Sequence, residues 1–109
     1  SSVYQLALPV YRNILAQTSN YRLACVQTFF TLLANVQDTN LLHRGGWDGL
    51  RVAQDLSQTF LDAGGIFASD WESKAISVHQ ELVKLNLSPG GSADLLSACL
   101  FIHHFEADE

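Results

Sequence analysis

Between Leu23 and Gln37 lie 15 residues without a charged side chain, the longest such run in the sequence. This run constrains the fold more than any other part of the chain. Leu23, Val26, Phe29, Phe30, Leu32, Leu33 and Val36 recur at helical spacing and cover most of a helix circumference. A helix that is apolar nearly all round hides that surface only from the middle of a bundle. It is no membrane span: Gln27, Thr28, Thr31 and Asn35 interrupt it, and a span takes about 20 predominantly apolar residues. Ser19 or Asn20 is placed to cap its N-terminus.

Other helices follow from the same periodicity. Val3, Leu6, Ala7, Val10, Tyr11, Ile14 and Leu15 form an apolar stripe, with Pro9 expected to end or kink the helix and the better part lying after it. Leu50, Ala53, Leu56, Phe60 and Leu61 share one face of a helix expected from about Trp47 to Ala63, stopped by Gly64 and Gly65. Ser69 with Glu72 reads as a capping box opening a fourth helix, in which Trp71, Ala75, Val78, Leu82 and Leu85 form a packing seam. Ser92 is placed to cap a last helix from Ala93 to about Glu106. No strand alternation runs over a useful length. The expectation is an all-α chain, a compact bundle of about five helices forming a single domain over residues 1–109.

Composition narrows the function. Apolar residues make up 48% of the chain and charged residues 16%, which excludes a disordered chain. It suggests a crowded core or helix faces made to meet a partner, including a two-fold homodimer. The formal net charge is −5, with 6 Lys plus Arg against 11 Asp plus Glu, so nucleic acid is not the expected partner. No signal-peptide pattern opens the sequence, and a cytoplasmic location is expected. Cys25 and Cys99 lie apart in apolar helical stretches and read as buried free thiols. Asn86-Leu87-Ser88 matches a glycosylation triplet that Pro89 makes a chance match. His79 reads as an ordinary helical residue, and adjacent His103 and His104 lack the i, i+4 spacing of a metal pair.

Two stretches concentrate the chemistry. Asp38-Thr39-Asn40-Leu41-Leu42-His43-Arg44-Gly45-Gly46 reads as the polar continuation of the central helix, broken by Gly45 and Gly46. Thr39 with His43, and Asn40 with Arg44, are four apart and share one arc, on which Arg44 suits a phosphate. Asp38 lies off that arc, where its carboxylate could bind a cation or fix a neighbouring side chain. The plain alternative is a helix C-terminus whose His and Arg favour the negative end of the dipole. The second stretch is Leu87-Ser88-Pro89-Gly90-Gly91-Ser92-Ala93-Asp94-Leu95-Leu96, a glycine loop entering a helix. Gly90 and Gly91 let backbone approach a ligand, and Ser92 with the first helical amides suits an anion. Asp94 would repel a bare phosphate but suits a Mg²⁺ ion bridging to one. The alternative here is a loop and an N-cap. The stretch is no Walker loop, because Gly-Lys-Ser/Thr is missing.

Together, in this order and at this separation, the two stretches resemble the paired C-terminal signatures of the triphosphoribosyl-dephospho-coenzyme A synthases, which serve citrate lyase and malonate decarboxylase. The resemblance covers about Leu23 to Phe105. It implies an all-helical transferase that joins ATP to 3′-dephospho-coenzyme A with release of adenine. Members are considerably longer and carry a further Pro-, Gly- and Asp-rich motif in their N-terminal half that has no counterpart here. The resemblance thus implies a C-terminal portion whose partner is the missing half, inactive by itself. It makes Asp38, His43 and Asp94 the candidate catalytic groups, with Asp38 and Asp94 also the candidate Mg²⁺ ligands. Asn40, Arg44, Gly45, Gly46, Ser88, Gly90, Gly91 and Ser92 become the candidate nucleotide and phosphate contacts. The rival reading is a non-catalytic helical interaction module.

Overall fold

The computed structural model describes residues 2–35 and 39–85 together with Leu96 and Cys99; for residues 2–4, 39–48 and 50 it is the backbone that is described. Four α-helices and one short 3₁₀ turn make up the described part: α1 (Ser2–Thr18), α2 (Tyr21–Asn35), α3 (Thr39–Asp62), the 3₁₀ turn Gly65–Phe67, and α4 (Trp71–Lys84). No strand occurs among the described residues. The expected fifth helix lies largely outside them, but Leu96 and Cys99 are both helical and buried.

The charge-free run forms the central helix, as its pattern requires. Ala24, Val26, Phe29, Phe30 and Leu33 of α2 are buried, and α2 packs against α1, α3 and the 3₁₀ turn. Its polar residues are tolerated because they bond to their own helix. Thr28 Oγ1 donates to the Ala24 carbonyl at 2.6 Å and Thr31 Oγ1 to the Gln27 carbonyl at 2.8 Å. Phe30 stacks on Phe60 of α3 with ring centroids 4.0 Å apart, and Phe29 meets Phe30 edge-on at 5.2 Å.

The α1–α2 connection is two residues long. Ser19 adopts φ +54° and its amide closes onto the Leu15 carbonyl at 2.8 Å, an αL ending of α1. Asn20 is the cap: its Oδ1 accepts from the Leu23 amide at 3.0 Å. Pro9 neither ends nor breaks α1, which runs through it. Its ring is exposed, so the clash with the preceding turn falls on the solvent side, while Ile14, Val10, Tyr11 and Leu15 pack inward.

The seam expected on α4 is borne out: Ala75, Val78 and Leu82 are buried, and Trp71 and Leu85 pack beside them. Its expected capping box is not. The helix begins at Trp71 with Asp70 before it, and no side chain caps it. Glu72 instead pairs with Arg22 of α2, whose guanidinium also lies 4.9 Å from the centre of the Trp71 ring. A cation fixed on an aromatic face outbids a backbone amide for that carboxylate.

Both cysteines depart from expectation. Cys25 and Cys99 are not free thiols but a disulfide, Cα–Cα 5.4 Å, joining α2 to the segment beyond α4 across 74 residues of sequence. Apolar helical surroundings said only that each sulfur is shielded; that the two helices present them to each other is a tertiary fact.

Candidate functional site

The first signature stretch is not where its sequence pattern suggested. The central helix is described to Asn35, and α3 is described from Thr39 through Gly45 and Gly46 to Asp62. The glycine pair therefore breaks nothing. Glycine costs a helix interior about 1 kcal/mol against alanine, which the flanking turns can offset. A helix stop of the αL kind needs positive φ, and among the described residues the glycines with positive φ are Gly64 and Gly65.

This correction reverses the electrostatics of the stretch. Asn40, His43, Arg44, Gly45 and Gly46 occupy the first two turns of α3, not the last turn of α2. The dipole around them is therefore not that of a helix C-terminus. The alternative of a helix C-terminus, with His43 and Arg44 answering a negative dipole end, no longer applies. The i, i+4 relations of Thr39 with His43 and of Asn40 with Arg44 hold, because all four residues are helical. Asp38 lies outside the described residues.

The rest of α3 anchors this end to the core. Gly49, Ala53, Ser57 and Phe60 are buried, a face made mostly of small residues at intervals of four. Leu56 and Leu61 lie half-buried beside them, as the expected face has it, whereas Gly49 and Ser57 went unanticipated. Ser57 has no exposed surface, and its hydroxyl donates to the Ala53 carbonyl at 2.8 Å. The i+4 run of small residues was the available signal, masked by the larger apolar residues around it.

The far end of α3 is locked by a contact between distant stretches. After Gly64 (φ +112°) and Gly65 (φ +54°), the Ile66 amide donates to Gln27 Oε1 of α2 at 3.1 Å. A Cβ on Gly65 would lie 2.4 Å from that same oxygen, so only glycine lets the side chain in.

The second stretch, with Ser88, Gly90, Gly91, Ser92 and Asp94, lies outside the described residues. Its last residue, Leu96, and Cys99 beyond it are described. Leu96 is fully buried, and Cys99 is bonded to Cys25 on the central helix. Among the described residues no group of three or more His, Cys, Asp or Glu side chains is placed to hold a metal ion. No described helix is long and apolar enough to cross a membrane.

Comparison with known proteins reaches the whole sequence. The family model of the ATP:dephospho-CoA triphosphoribosyl transferases matches residues 1–109, further than the two signatures alone. A probable 2-(5''-triphosphoribosyl)-3'-dephosphocoenzyme-A synthase of Acinetobacter calcoaceticus is 40% identical over 101 residues, covering 93% of this chain and 35% of the relative. The 2-(5''-triphosphoribosyl)-3'-dephosphocoenzyme-A synthase of Escherichia fergusonii is 40% identical over 108 residues, 99% of this chain and 36% of its own. That of Klebsiella pneumoniae is 40% identical over 101 residues, 93% and 33%. The chain thus spans about a third of the length of these relatives. No solved structure matches it significantly.

Proposed function

The chain belongs to the ATP:dephospho-CoA triphosphoribosyl transferase family, and we propose that it supplies one part of the active site of such an enzyme, acting in the cytoplasm. The complete reaction is attack by the 2′-hydroxyl of 3′-dephospho-coenzyme A on C1′ of the ATP ribose, with adenine leaving. The observation that carries this reading is the family match over residues 1–109, and the placement of Thr39 to Gly46 early in α3 supports it.

On this reading the triphosphate meets the amides of the first turn of α3, with Arg44 and Asn40 supplying donors and Gly45 and Gly46 leaving room beside them. The Ser88, Gly90, Gly91 and Ser92 backbone and hydroxyls form the opposite side of the phosphate site. His43 gives adenine its proton or a hydrogen bond as the glycosidic bond lengthens. Asp38 and Asp94 would take the hydroxyl proton or stabilise the positive charge that develops on the ribose. Two carboxylates plus phosphate oxygens are also the donor set that Mg²⁺ accepts, and Asp38 and Asp94 would hold it. When bound, that ion would neutralise the triphosphate.

The remainder of the site we assign to the part of the enzyme beyond this chain. The exposure of Ile76 and Val83, two turns apart on α4, supports a face that packs on it or on a second copy. The test uses a full-length enzyme containing this sequence, assayed for adenine release from ATP. Release is expected only with dephospho-coenzyme A present. It should fall about 10²-fold or more in Asp38→Asn and in Asp94→Asn, the scale of a lost electrostatic contact in a transition state. Full activity in both variants would remove the two carboxylates from the reaction.

A further inference from the structure

We propose that Cys25 and Cys99 form a redox-dependent clasp: oxidation fastens the segment around Leu96 and Cys99 to the central helix, and reduction leaves it held by packing alone. The placement of the pair carries the inference. Cys25 lies on α2, which packs against α1, α3 and the 3₁₀ turn and so is the fixed frame of the fold. Cys99 lies beyond the last described helix, and the Cα–Cα distance of 5.4 Å sits in the middle of the range that a disulfide spans. Leu96 and Cys99 are both buried in the core, so the bond ties a packed turn of the segment to the central helix.

Accessibility gives the pair an order of reaction. Cys99 is only 3% exposed, whereas Cys25 is half-buried, so an attacking thiolate reaches the Cys25 sulfur first. Oxidation by a small disulfide such as oxidised glutathione then runs in two exchanges. The Cys25 thiolate attacks one sulfur of the reagent, forming a mixed disulfide and releasing one glutathione thiolate. The Cys99 thiolate attacks the Cys25 sulfur, closing the Sγ–Sγ bond and releasing the second. Two electrons pass from the protein pair to the reagent, and the two protein protons end on the two glutathiones. Reduction by glutathione reverses each step.

The setting favours a switch over a permanent staple. Disulfides in reducing compartments are generally transient or redox-sensing, and an enzyme that consumes ATP works in such a compartment. The clasp rests on the proposed transferase reading in one respect. Asp94 and Ser92 stand two and four residues before Leu96, so fastening Leu96 and Cys99 fixes one end of the second signature.

The experiment requires no catalysis, so it separates the clasp from the transferase reading. The chain is equilibrated with reduced and oxidised glutathione in varying ratio. Free thiols are counted by mass after alkylation, and hydrogen exchange is followed in peptides containing Leu96 and Cys99 and in peptides from α4. The expected result is a change from no thiols to two within the glutathione range. It should come with at least about tenfold faster exchange around Leu96 and Cys99 on reduction, and α4 changed by less than about twofold. Cys25→Ser and Cys99→Ser should each show the fast exchange in every buffer; the two variants guard against one failing to fold. A pair that stays oxidised under fully reducing glutathione is a staple and overturns the proposal. So does a pair that never closes, or exchange that ignores the redox state.

Discussion

Replacing Gly65 by alanine should destabilise the fold by about 2–3 kcal/mol, and the structure says where each part comes from. Gly65 holds φ +54°, a left-handed conformation that costs a residue with a Cβ about 1–2 kcal/mol. The new Cβ would lie 2.4 Å from Gln27 Oε1 and 2.8 Å from Nε2, closer than any real contact. The Gln27 side chain can swing away, but it then abandons the amide of Ile66, which is 4% exposed. Stranding a buried donor costs about 1–3 kcal/mol. Alanine returns roughly 0.5–1 kcal/mol by restricting the unfolded chain. At about 2.1 cal/mol/K per residue, 109 residues give an unfolding entropy near 0.23 kcal/mol/K, so the midpoint should drop by about 10 °C. The assay is thermal and urea unfolding followed by circular dichroism at 222 nm for Gly65→Ala, Gln27→Ala and the double variant. With Gln27 truncated the steric part vanishes, and Gly65→Ala should cost only the backbone part, about 1 kcal/mol. Equal costs in both backgrounds, to within about 0.5 kcal/mol, would refute the claim that this glycine exists to admit Gln27.

Two further substitutions probe the frame of the site. Ser19→Gly should stabilise the chain by about 0.5–1 kcal/mol, because Ser19 is the non-glycine residue with positive φ among those described; a loss of stability in the same melt would mean that its side chain matters more than its backbone. Phe60→Ala should cost about 3–5 kcal/mol, since Phe60 is 3% exposed and stacked on Phe30. Phe60→Leu, which keeps most of the volume, should recover more than half of that in urea titrations; equal losses would indicate that the stacking geometry, not the filled space, is what counts.

The helices themselves were legible wherever an apolar pattern had one interpretation. The 4-3-4-3 spacing from Trp71 to Leu85 leaves a single face to bury, and that face is buried. The all-round apolar surface of α2 could belong only to a central helix, and it does. Punctuation was less legible, since glycine, proline and capping residues state a local preference that tertiary contacts can overrule. Pro9 sits inside α1 because its ring faces solvent, and Gly45-Gly46 sits inside α3 because the small-residue face beyond it is buried. Glu72 left its capping role for Arg22, which lies 50 positions earlier in the chain. The disulfide was illegible for the same reason: 74 residues separate its halves, and no local pattern records that they meet.

The site was legible as a string of groups but not as an electric field. Asp38-Thr39-Asn40 and His43-Arg44 are the same residues whether they end one helix or begin the next. At a C-terminus, the carbonyls around them would have repelled phosphate, and Arg44 alone would have had to hold it. Within α3 they are not at a C-terminus, and on the proposed reading the amides early in that helix and Arg44 would act on a phosphate in the same direction. On the proposed reading Asp38 would hold a divalent cation, which takes a carboxylate oxygen as its ligand. That role needs an acid at the position rather than an amide, which is why Asp38→Asn, a substitution of the same shape, is the decisive variant for the role of this residue.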